Sequence, residues 1–83
     1  MSSILGAPDA VVRACAQAIS TAAEPYHVVS VDAASSGPLR LERRDVVAPL
    51  EVRIRYARQG GIEVRHSQID CRLNEAGNVD ALR

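Results

Sequence analysis

The sequence predicts an α+β domain in two layers, with one N-terminal helix packed on a four-stranded antiparallel meander sheet. Three observations predict it. Residues 8–24 are rich in Ala and place apolar side chains at three- and four-residue spacing. From Tyr26 onward the period moves toward two, and β-branched residues replace Ala. A length of 83 residues allows a single domain, 1–83, with one core, so the helix has to bury its apolar stripe on the sheet that follows.

The helix comes first. Pro8 suits the first helical turn, Asp9 favours the positive end of the helix dipole, and Pro25 disfavours helix at the residue before it. Val12, Cys15, Ile19 and Ala22 form the stripe, widened by Val11 and Ala18, while Arg13, Gln17 and Ser20 lie off it. Residues 1–7 are expected to be disordered.

The sheet is expected over residues 26–73. Residues 26–33 read as its first strand, and Ser35, Ser36, Gly37 and Pro38 carry turn chemistry. A second, poorer strand covers 39–47 and breaks at Ala48 and Pro49. Residues 50–58 alternate most clearly: Leu50, Val52, Ile54 and Tyr56 against Glu51, Arg53, Arg55 and Ala57, a strand with one dry face. Pairing Tyr56 with Val64 leaves a three-residue loop over 59–61, with Gly61 in the left-handed position of a G1 bulge. The apolar parity then flips, from Ile62 and Val64 to Ile69, Cys71 and Leu73, which predicts a β-bulge around 66–68. Gly77 and Asn78 turn the chain, and 74–83 form a turn and tail in which Val79 and Leu82 either reach the core or fray.

Small aliphatics must build the core. Phe and Trp are absent, Tyr26 and Tyr56 are the only aromatics, and Ala, Val, Leu and Ile supply the rest. A domain near this size buries only about 60% of its unfolded surface, so such a core calls for a disulfide, a dimer interface or a ligand. Cys15 sits midway along the helix stripe and Cys71 midway along the odd series of the fourth strand. The two are therefore expected to face each other across the layers and to be able to bridge. A bridge would fit an exported protein. The missing secretory segment favours the cytoplasm instead, since Ile4 and Leu5 are too short a run to serve as one.

Several function classes lose support. Ten Arg balance five Asp and five Glu, with no Lys; without a net field or a basic tail, nucleic acid is an unfavoured partner. Stacking aromatics among the cations, as single-strand binding needs, are missing apart from Tyr56 on the dry side. No run of 18 uncharged apolar residues exists to cross a membrane. Cys15, His27, His66 and Cys71 invite a zinc site, yet His66 and Cys71 on one strand would stand roughly 16 Å apart, too far for one tetrahedral ion. A thiol nucleophile would need an exposed, electropositive setting, whereas both cysteines fall on dry faces. No catalytic, cofactor-binding or metal-binding residue is assigned, and no cofactor is expected. His66 is the residue to watch for chemistry, because bulges re-aim side chains.

What remains is a contact surface. Arg53, Arg55 and Arg65 with Glu51 and Glu63 are expected to form a charged mosaic on the wet face. Arg43 and Arg44 are expected to blunt the second strand as a sheet edge. The reading that follows is a non-enzymatic interaction module, possessing a protein partner or pairing with itself as a homodimer. The alternative is a small-molecule-binding or thiol-redox-linked domain with a pocket between helix and sheet.

Overall fold

The computed structural model describes residues 7–83. Helix α1 spans Asp9–Ala23 and runs into a 3-10 turn, Glu24–Tyr26. The strands are β1 (Val28–Ser35), β2 (Arg40–Glu42), β3 (Asp45–Arg58), β4 (Gly61–Leu73) and β5 (Val79–Leu82), all paired antiparallel. One helix on an open antiparallel sheet is the α+β class that the sequence predicts. The disorder expected for 1–7, and the short apolar pair Ile4 and Leu5, fall outside the described residues except for Ala7. The Ala7 amide donates to Ser35 Oγ at 2.8 Å, which holds the approach to the helix against the end of β1.

The lanes of the meander differ from those expected. β1 and β2 lie end to end along the same edge of β3: Val31 faces Ile54 and Ser35 faces Leu50, while Arg40 faces Val47 and Glu42 faces Asp45. Residues 36–39 thus lie opposite only Ala48 and Pro49, and the Ser-Gly-Pro cluster interrupts an edge instead of turning a hairpin. The turn is Arg43 and Arg44, with Arg43 at φ +60°, the sign that a II′ hairpin turn demands of its first residue. The expected strand over 39–47 shrinks to Arg40–Glu42, and the expected break at Ala48 and Pro49 falls inside β3.

Pro49 is tolerated there for a geometric reason. Its carbonyl accepts the Ser36 amide at 2.9 Å, and in an antiparallel ladder the N–H and C=O of one residue point to the same side. The N–H that Pro49 lacks would therefore have met the interruption, where no regular ladder bond is lost.

The β3–β4 hairpin closes on two residues, Gln59 and Gly60, not three. Gly60 has φ +93°, a conformation that glycine adopts without steric cost. Tyr56 consequently faces Glu63, not Val64, and the pairing runs unbroken from Arg58 and Gly61 to Val46 and Leu73. No bulge interrupts 66–68. The parity flip is a real change of face: Ile69, Cys71 and Leu73 share the inner face with Leu50, Ala48 and Val46, whereas Ile62 and Val64 share the outer face with Ala57 and Arg55.

Helix length explains the flip. Fifteen helical residues reach about 22 Å, half of the 44 Å long axis of the molecule. β4 is apolar inward only where α1 covers it; farther out, Glu63, Arg65 and Ser67 take the inward positions.

Beneath the helix, Cys15 and Ile19 pack with Ala48, Leu50, Val52, Ile54, Cys71 and Leu73. Ala23, and not Ala22, completes the buried helix stripe at strict four-residue spacing. Cys15 and Cys71 are fully buried and joined by a disulfide, their Cα atoms 6.2 Å apart. Ala48 stands opposite Cys71 in the ladder, and its small side chain leaves room for the two sulfurs. The tail does reach the sheet: Asn74 Oδ1 accepts the amides of Ala76 and Asn78, each at 3.0 Å, and this turn lays β5 along Cys71–Leu73.

Candidate functional site

The half of the hairpin beyond the helix presents three different surfaces: an outer face, an inner face and the edge of β4. On the outer face the ladders line up Asp32, Arg53 and His66 in one row across β1, β3 and β4, with Ser30, Arg55 and Val64 in the next and Ala34, Glu51 and Gln68 in the third. The small Ala34 beside longer neighbours leaves a groove of about 490 Å³, lined by Asp32, Ala34, Glu51, Arg53, His66 and Gln68. Arg53 Nε lies 3.8 Å from Asp32 Oδ2, with both side chains about half exposed. Gln68 Nε2 reaches over to Ser36 Oγ at 2.7 Å.

Arg53, Arg55 and His66 are thus brought together as a charged outer mosaic. Arg65 and Glu63 are not part of it. The one-residue change of hairpin register puts both on the inner face, where Arg65 stands opposite Ile54 and Glu63 opposite Tyr56.

That inner face gathers both aromatics of the chain. The Arg58 guanidinium sits 4.7 Å from the centre of the Tyr56 ring, a cation–π contact. Its Nη1 donates to the Tyr26 carbonyl at 2.9 Å and its Nε to Glu63 Oε1 at 2.9 Å. Arg65 Nε donates to the other carboxylate oxygen, also at 2.9 Å. Hydrogen bonds from Arg65 and then Arg58 hold the Glu63 carboxyl below the usual carboxylate range. Tyr26, Tyr56, Arg58 and Arg65 line a hollow of about 280 Å³. Tyr26 and Arg58 were not legible as site residues, because Tyr26 reads as the start of a strand until the 3-10 turn at Pro25 places it.

Between the two faces runs the edge of β4. Asp70 exchanges both backbone bonds with Arg83, at 2.9 and 3.0 Å, so its N–H and C=O point toward β5. By the alternation of an antiparallel strand, those of Ile62, Val64, His66 and Gln68 point the same way, past the reach of β5. Among the described residues nothing pairs with them. Ile62 and Val64 flank this edge with 56% and 46% of their surface exposed.

The opposite end of the outer face is closed by charge. Arg72 binds Glu42 at 2.6 Å and Asp45 at 3.3 Å, and Arg40 binds Asp70 at 3.0 Å. Asp45 and Glu42 hold the Arg72 guanidinium further on its charged side. These side chains cover Val47, which is buried although it faces outward. β2 is an edge strand, paired among the described residues only with β3, but Arg43 and Arg44 form the hairpin tip at its end and not part of that edge; Arg44 meets Glu75 at 3.7 Å with both side chains exposed, a pair that contributes little.

His66 lies on the outer face and Cys71 on the inner one, while both cysteine sulfurs are bonded to each other. The four residues of the zinc reading therefore do not converge. Cys15, Ile19, Leu50, Val52, Ile54 and Leu73 fill the layer between α1 and the sheet, which leaves the groove of the pocket reading on the outer face instead. Among the described residues no helix is long and apolar enough to cross a membrane. Compared with family models, curated proteins and solved structures, the chain matches none.

Proposed function

We propose that this chain is a small protein-interaction module that makes its contacts on the half of the β3–β4 hairpin beyond the helix. The observation that carries this reading is the free β4 edge, whose backbone groups at Ile62, Val64, His66 and Gln68 lack a ladder partner among the described residues while Ile62 and Val64 stand exposed beside them. An edge of this kind accepts an added strand, with backbone bonds giving affinity and alternate side chains giving specificity. Tyr26, Tyr56, Arg58 and Arg65 supply, on the adjoining face, the residue types enriched at protein interfaces. The disulfide ties the helix to one half of the sheet and suits an oxidising compartment.

The test is retention of a binding protein by the immobilised chain from an extract of the source cells, wild type against the double variant I62E/V64E. Both side chains are exposed, so circular dichroism of the variant is expected to match the wild type. The variant is expected to lose the retained protein. Equal retention by both would remove the hairpin as the contact surface.

A further inference from the structure

We infer that the occupant of the free β4 edge is a second copy of this chain, paired antiparallel about a two-fold axis at Val64; this rests on reading the hairpin as a contact surface. The register follows from the charges. In an antiparallel pair the residues whose N–H and C=O point outward must meet each other, and on β4 these are the even positions, Ile62, Val64, His66 and Gln68. A two-fold axis through Val64 sets Val64 against the partner's Val64 and Ile62 against the partner's His66. On the inner face it sets Glu63 against the partner's Arg65, and Arg65 against the partner's Glu63.

The neighbouring registers lack this match. Moving the axis to position 63 places Glu63 on Glu63, and moving it to position 65 places Arg65 on Arg65, like charges directly opposite. In the Val64 register, each Glu63 keeps its bond to Arg58 through Oε1 and shares Oε2 between its own Arg65 and the partner's Arg65. Val64 and Ile62, exposed in the single chain, cover each other's outer face.

The ladder also fits the space available. Gly61 comes opposite the partner's Ser67, so the partner's turn at Gln59 and Gly60 stands level with Gln68 and Ile69. It stops just short of Asp70, where Arg83 already takes the edge. Among the described residues, β5 and the partner's strand therefore share β4 without collision, and the two sheets join into one.

The experiment is sedimentation equilibrium of the full chain up to millimolar concentration. The wild type is expected to reach the mass of two chains. Val64→Pro removes the two amides at the axis, and its N–H side faces the open edge, where proline is tolerated; this variant is expected to stay folded by circular dichroism and to sediment as one chain. E63R and R65E, each alone, put like charges around the axis and are expected to be single chains. Mixed in equal amounts they are expected to recover the two-chain mass, because every contact between positions 63 and 65 then joins opposite charges. The double swap E63R/R65E is expected to recover it on its own.

A wild type that remains a single chain, variants that remain paired, or a mixture that fails to pair would overturn the proposal. If the wild type is a single chain yet retains an extract protein that I62E/V64E loses, self-pairing fails and the contact surface stands. If it retains none, both readings fail.

Discussion

Reduction of the Cys15–Cys71 bond is expected to lower the unfolding free energy by about 4 kcal/mol in the chain-entropy estimate for a closed loop of this size. The bond spans a sequence separation of 56, so it closes most of the chain into one loop and removes a large share of the freedom of the unfolded state. Small domains have only about 5–15 kcal/mol in total. This one has neither Phe nor Trp to enlarge its core, and the reduced protein is expected to melt about 15–30 °C lower than the bridged one. C15A/C71A is expected to behave alike, since both sulfurs are buried and contact the same layer. Chemical unfolding with and without reductant, at one fixed protein concentration because association also stabilises, measures the difference. A change below about 1 kcal/mol would mean that the core holds without the bridge, against the chain-entropy expectation.

The second large effect separates the two faces of β3. Leu50 is fully buried at the centre of the core, and Leu50→Ala is expected to cost about 2–5 kcal/mol through lost transfer energy and the cavity left behind. R53E/R55E on the same strand is expected to cost less than about 1 kcal/mol, because both side chains are exposed and exposed ion pairs contribute little. Urea midpoints of the two variants make the comparison. A charge-reversed protein more destabilised than L50A would place those arginines in a buried layer.

How far the fold can be read from the sequence depends on which signals have one physical explanation. The alternation of Leu50, Val52, Ile54 and Tyr56 has one, a strand dry on one side. The pairing of Cys15 with Cys71 follows from two centred positions on facing elements. The change of parity along β4 has two explanations, a bulge or the end of the helix's cover. Element lengths distinguish them: fifteen helical residues reach about 22 Å, while the thirteen residues of β4 extend about 44 Å. The hairpin loop is ambiguous for a different reason. Gly60 and Gly61 permit a two-residue or a three-residue turn, and the difference of one position moves Glu63 and Arg65 from the outer face to the inner. Arg43 and Arg44 carry no turn chemistry, so the hairpin they close is invisible beside the stronger Ser-Gly-Pro signal. Of the candidate surface, the outer face holding Arg53 and Arg55 was legible from their strand; the cluster of Tyr26, Tyr56, Arg58 and Arg65 depends on the register and on the 3-10 turn.

The unbulged run of β4, with its even-numbered backbone groups on the free edge, underlies both the proposed contact surface and the proposed self-pairing. Residue-resolved amide hydrogen exchange along β4 at low protein concentration tests it most directly. Glu63, Arg65, Ser67 and Ile69, bonded to β3, are expected to exchange slowly, and Ile62, Val64 and His66 fast, with those three slowing as the concentration rises. A break in the alternation at 66–68, or uniform exchange along the strand, would contradict this register.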